Sequence, residues 1–148
     1  MLKKLKLLIT VSALLASSLL YADAAPLRVY NTNALKWEYL VDMPGAQVVV
    51  LTGDPRKKEY FVTRVKLPAH FMVPPHSHLI DENDTVISGT YYLGVGTKAS
   101  EKHTIALKPG SFVVIPANTP HFGWTKTVTV LQISGVGPWG VVKVPTKG

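Results

Sequence analysis

The sequence predicts an all-β protein, folded as a sandwich or barrel, and three observations carry that expectation. Short runs rich in Val, Ile, Tyr and Phe recur along the chain; Gly, Pro, Asn and Asp separate them; helix signals are nearly absent. Many short strands divided by turn residues mark a two-layered or closed antiparallel architecture.

The chain opens on a segment that does not belong to that fold. Lys3, Lys4 and Lys6 form a basic start, Leu7 to Leu20 is apolar apart from Thr10, Ser12, Ser17 and Ser18, and Ala22-Asp23-Ala24 offers small residues around a cleavage site. This is the pattern of a secretory signal peptide over residues 1–24, cleaved near Ala24. An uncleaved anchor is the alternative, but Leu7–Tyr21 is short for a span that needs about 20 apolar residues. The absence of cysteine excludes a lipoprotein anchor, a disulfide framework and thiol chemistry. The mature protein, residues 25–148, is expected to be a single exported domain, periplasmic or secreted, with no membrane segment.

Cleavage removes three lysines and one aspartate from a chain of net charge +7, leaving +5. The basic residues are scattered. Arg56-Lys57-Lys58 is the one run, and it follows the Gly53-Asp54-Pro55 turn as a solvated loop would. No basic face interleaved with exposed aromatics is discernible, so nucleic acid is not an expected partner.

Strands are expected at Ala46–Leu51, Glu59–Leu67, Thr85–Ser88, Thr90–Val95, Phe112–Ile115, Thr127–Ile133 and Val141–Val144, with a loop at Asn31-Thr32-Asn33. Ser88-Gly89-Thr90 reads as a tight hairpin, since Gly accepts positive φ. Lys108-Pro109-Gly110-Ser111 reads as a second turn, Pro pre-setting φ and Gly following.

His76-Ser77-His78, Glu82 and the distant His121 are the residues that carry chemistry. An H-x-H pair on a strand points both imidazoles to one face, because successive side chains alternate. Those two imidazoles, a third and one carboxylate can surround a borderline divalent metal and leave positions open for water, substrate or dioxygen.

Pro75-His76-Ser77-His78-Leu79-Ile80-Asp81-Glu82, continuing to Gly89, resembles the first motif of the cupins. Gly110 to His121, with Pro116 inside it, resembles the second. The resemblance covers about residues 60–135, and Val136-Gly137-Pro138-Trp139-Gly140 is similar to the tail of small exported single-domain cupins. It implies a jelly-roll or double-stranded β-helix barrel with His76, His78, Glu82 and His121 as metal ligands. An alternative set has three histidines holding zinc, with Glu82 behind them or acting as a base. His70 and Asn118 stand where the motifs often carry Gly, and both residue types tolerate positive φ. Thr125 replaces the usual Asn, which puts one hydrogen bond into the lumen in doubt.

His70 is better explained by its turn and His103 by a polar connection, so neither is an expected ligand. Asp81 points away from the lumen, while Asp84 shares the parity of Glu82 and could stand behind the metal ligands, although a surface or turn position is the preferred expectation for it. Gly123 and Thr125 share the face of His121 and are small, which leaves room beside the metal; Phe122 and Trp124 face the other way. One of Tyr91 and Tyr92 should face inward, and Phe71, Met72, Gln132 and Trp139 are further lining candidates.

The mixed imidazole and carboxylate set suits Fe, Mn, Ni, Co, Cu or Zn, and affinity order does not choose among them. The resemblance implies a metal-dependent enzyme acting on a small molecule, with Glu82 as a catalytic base. A dioxygenase-type oxidoreductase is preferred over an isomerase or lyase. A non-catalytic protein that binds a sugar or acid is the alternative, favoured by the lack of any second acid or base discernible near the ligands. The resemblance also implies a homodimer, which no sequence feature fixes.

Overall fold

The computed structural model describes residues 25–145. The expected signal peptide lies outside the described residues. After a 3₁₀ turn at Thr32–Ala34, the chain forms β1 (Glu38–Tyr39), β2 (Gln47–Thr52), β3 (Tyr60–Leu67), β4 (Met72–Ser77), β5 (Glu82–Ser88) and β6 (Tyr91–Val95). It continues with β7 (Ile105–Leu107), β8 (Phe112–Ile115), β9 (His121–Thr125), β10 (Thr129–Val136) and β11 (Val142–Lys143). No helix among the described residues is long and apolar enough to cross a membrane.

The strands form two antiparallel sheets, ordered β1-β2-β3-β10-β5-β8 and β11-β4-β9-β6-β7. This is the expected all-β jelly roll. Strict alternation puts Phe61, Thr63, Val65 and Leu67 of β3, and Thr129, Leu131 and Ile133 of β10, on the inner face. Val73, Val86, Tyr91, Leu93 and Ile115 complete the core between the sheets.

Ser88-Gly89-Thr90 is a turn but not a hairpin. β5 pairs with β10 and β8, whereas β6 pairs with β9 and β7, so this corner carries the chain from one sheet to the other. Gly89 has φ 75°, and a Cβ there would press on the Val128 carbonyl and on Thr129. Lys108–Ser111 is the expected turn: Ser111 N–H donates to Lys108 O at 2.9 Å, with Gly110 at φ 86°.

Among the described residues, the two non-glycine residues at positive φ are His70 (56°) and Asn118 (61°), as their motif positions suggested. The Thr125 hydroxyl donates to Pro68 O at 2.6 Å and accepts from Phe71 N–H at 3.1 Å. Thr125 therefore pins the turn that contains His70. Both bonds serve this turn, and Thr125 is not among the residues that line the lumen.

Candidate metal centre

β4 contains two prolines and still places a histidine in the lumen, because it is bulged. Against β9 it pairs Val73 with Gly123 and His76 with His121, so three steps on β4 match two on β9. Proline cannot donate to the ladder, and the extra residue falls at Pro74-Pro75. The slip lets Val73 and His76 both face inward, where unbroken alternation would have set them on opposite sides. His76 and His121 then meet directly across the strands, with ring centroids 4.3 Å apart.

His78 follows β4 and closes the set at 4.9 Å from the His76 ring and 5.5 Å from the His121 ring. Its backbone carbonyl accepts from Asn118 N–H at 2.7 Å, and Asp81 Oδ1 accepts from Ala117 N–H at 2.8 Å. These two bonds tie the segment of His78 and Glu82 to the segment that leads into His121. Asp81 faces away from the lumen, as parity indicated, and is spent on that tie.

Each histidine spends one nitrogen on the backbone. The Nδ1 atoms of His76, His78 and His121 lie 2.8, 2.9 and 3.0 Å from the carbonyls of Pro74, Gly140 and Thr119. A carbonyl only accepts, so each Nδ1 carries the proton and each Nε2 presents a lone pair. One ring nitrogen from each lies within 4.8 Å of the others, and all three residues are buried. Three imidazoles whose Nε2 atoms are turned toward one point by backbone carbonyls fit a divalent metal. Burial keeps His76 and His121 neutral: it lowers His121 and, with the neighbouring His121, takes His76 down to about 4.

Glu82 opens β5 and lies beside this set, its Oε2 2.6 Å from His78 Nε2. That nitrogen is buried without an aligned hydrogen-bond partner. Burial opposes a proton on His78, but Glu82 outweighs it and pushes the group upward. A proton shared between the two atoms would need the alignment the geometry lacks. A cation bound by both atoms would remove the conflict, which is a second sign of fit. Burial also opposes ionisation of Glu82, yet His78 and the Trp139 indole hold its carboxyl below the usual range.

The cavity around these residues is about 190 Å³, with Leu40, Met43, Val65, Leu131 and Val141 among its apolar walls. Two of its polar members correct sequence expectations. Asp84 is not at the surface: it is 3% exposed, lines the cavity, and its Oδ1 lacks a partner. Burial first and the Glu82 charge second push its carboxyl well above the usual range. Tyr91 is the inward tyrosine, raised by burial and then by Asp84 and Glu82. A Cβ on Gly123 would collide with its phenol oxygen, so the room expected over Gly123 is filled by Tyr91. The site therefore has an additional acid at Asp84, a placement that parity allows but that sequence reasoning ranks below a surface or turn position.

Of the further lining candidates, only Trp139 reaches the cavity. Phe71 packs against the core from its margin, Met72 is 39% exposed, and Gln132 accepts from Arg64 Nε at 3.2 Å. Trp124 stacks on Tyr92 at 4.1 Å, away from the lumen, and Phe122 is buried over Gly94. His70 and His103 are exposed and apart from the three histidines.

Known proteins place this geometry in context. Residues 21–134 match the family described as "Domain of unknown function (DUF4437)". Among curated proteins nothing matches. Among solved structures, the polyketide cyclase RemF from Streptomyces resistomycificus is 19% identical, with a TM-score of 0.67 over 82% of this chain and 88% of that one. An RmlC-like cupin from Shewanella frigidimarina is 14% identical, with a TM-score of 0.58 over 74% and 90%. A salicylate 1,2-dioxygenase from Pseudoaminobacter salicylatoxidans, in complex with gentisate, is 17% identical, with a TM-score of 0.54 over 64% and 26%. The chain belongs to the DUF4437 family, and its barrel has the fold of these cupin structures.

Proposed function

We propose that this protein is an exported metal-dependent enzyme that transforms a small oxygen-bearing molecule inside the barrel. A dioxygenase-type oxidoreductase is the preferred reaction class, ahead of an isomerase or lyase. The observation that carries the reading is the convergence of three Nδ1-anchored imidazoles on a cavity that also holds two buried carboxyl groups, Glu82 and Asp84, which their surroundings push in opposite directions. Pairs of titratable groups pushed apart in this way are the mark of an acid and a base. The non-catalytic binder loses its main support once Asp84 lies in the cavity.

In this reading His76, His78 and His121 hold the metal and Glu82 is the fourth donor. A divalent ion there would polarise a substrate oxygen and, if redox-active, open a path to dioxygen. The apolar walls exclude water and orient the body of the substrate. Glu82, ionised, accepts a proton from the substrate at a carboxylate oxygen. Asp84, protonated, returns one from its carboxyl. Gentisate in the salicylate dioxygenase supports a small aromatic acid among the substrates to try. Barrels pairing as a homodimer, and a mature form free of membrane and nucleic acid, complete the reading.

The test begins with protein isolated from the exported fraction. Mass spectrometry should read a mature N-terminus near Ala25, and metal analysis should find about one equivalent of a divalent transition metal. His76→Ala and His121→Ala should each weaken metal binding by more than about 100-fold, beyond the effect of losing an outer partner. Oxygen uptake with phenolic, thiol and dicarboxylate compounds then examines the reaction class. Wild-type protein without stoichiometric metal would sink the metal centre; silence across the panel, with ligands detected only by thermal shift, would return the binder to first place.

A further inference from the structure

We propose that Trp139 is a positioning residue that restrains Glu82 at the margin of the three-histidine set, making the carboxylate a weak and releasable donor. This rests on the metal reading above. Glu82 Oε2 has two claimants: the Trp139 indole N–H donates to it at 3.0 Å, and His78 Nε2 approaches it at 2.6 Å. The three imidazoles gather within 4.8 Å of one another, and Glu82 is not one of that group.

Trp139 is not free to follow the carboxylate. Its backbone N–H donates to Pro55 O at 2.6 Å, and the preceding Gly137 N–H donates to Glu59 O at 2.9 Å. Its ring stacks on His78 at 5.5 Å and 25°, and packs on Phe61 at 5.8 Å. A shift of Glu82 toward the histidines must therefore give up the indole bond. A hydrogen bond to a charged acceptor in a dry site is among the stronger ones. Retaining it opposes full engagement of the carboxylate and leaves Glu82 available as a base.

The test uses the full mature chain with Co(II) as probe, in wild type, Trp139→Phe, Glu82→Gln and the double variant. The dissociation constant comes from chelator competition and the coordination number from the visible absorption of Co(II). Phe keeps a ring for the stack but has no N–H. It should tighten Co(II) binding about tenfold, the lower end of what one such bond is worth. It should also weaken the visible bands, as an added donor does. Both changes should vanish in the Glu82→Gln background.

Unchanged or weakened binding in Trp139→Phe, or an equal change in both backgrounds, overturns the role of Trp139 and leaves the metal centre standing. Wild-type protein that binds no Co(II) overturns both. A second measurement covers a Phe variant that fails to fold. In a Trp37→Phe/Trp124→Phe chain, Trp139 carries the remaining indole, and its ¹⁵N–H signal should stay at a hydrogen-bonded position when Zn(II) is added. Movement to a free-indole position overturns the proposal.

Discussion

At the scale of single residues, the imidazoles were legible and their company was not. His76 and His78 share a face because strand geometry alternates, and the motif around His121 marked it as their partner. The depth of Asp84 depends on how strongly β5 is covered by the opposite sheet, which parity alone does not report. Tyr91 over Gly123 is likewise a cross-strand contact between neighbours on one face, invisible to spacing. That contact allows a sharp expectation. Gly123→Ala places a methyl group where the phenol oxygen lies, and overpacking of this kind costs about 1–3 kcal/mol. Urea denaturation of the Gly123→Ala protein should show that loss. A Tyr91→Phe background, which removes the oxygen, should recover part of it; equal stability of the Gly123→Ala protein and wild type would deny the contact.

At the scale of elements, most strands could be read and four could not. β2, β3, β6, β8, β10 and β11 lie within about a residue or two of expectation at most ends, and β5 begins three residues early, at Glu82. β1 and β7 are too short to carry a pattern. β4 hides behind Pro74-Pro75, and β9 behind a central glycine, although both were recognisable as extended through their histidines. The corner at Gly89 was misread because a turn residue does not say which sheet its flanking strands join. The loop before β3 offers a test of local electrostatics. Arg56 donates to Asp54 from its side chain and backbone, which holds the Asp54 carboxyl below its ordinary range. The native pKa is the lower one, so this contribution is present above pH 3.8 and lost as pH falls through the native value. Asp54→Asn should melt slightly below wild type at pH 7, with the gap closing as the pH is lowered under 3.8. A gap independent of pH would mean that the turn, not the charge, supplies the effect.

At the scale of the whole molecule, the two motifs and the tail meet around one point. The core of Phe61, Val65, Leu67, Leu131 and Ile133 sets two sheets face to face, and the donors line the space between them. A metal held there binds the folded barrel alone and stabilises it by mass action, about 2.7 kcal/mol at 100 times the dissociation constant. For a domain of this size that is on the order of 10 °C in Tm. Chelation of the metal-loaded protein should lower Tm by that amount, and the His121→Ala protein should not respond. A chelator-insensitive wild type would mean that the barrel stands without its ion.

The tail also sets a clock. His78 is oriented by the carbonyl of Gly140, Glu82 by the indole of Trp139, and β11 completes the sheet by pairing Val142 and Lys143 with Ser77 and His76. A chain emerges from synthesis or export with its N-terminal part first, so the groups that aim these donors arrive last. Until they dock, His78 is free to turn, and an ion met early finds a looser and less selective set. An ion kept by the finished site would therefore be chosen where the chain completes its fold.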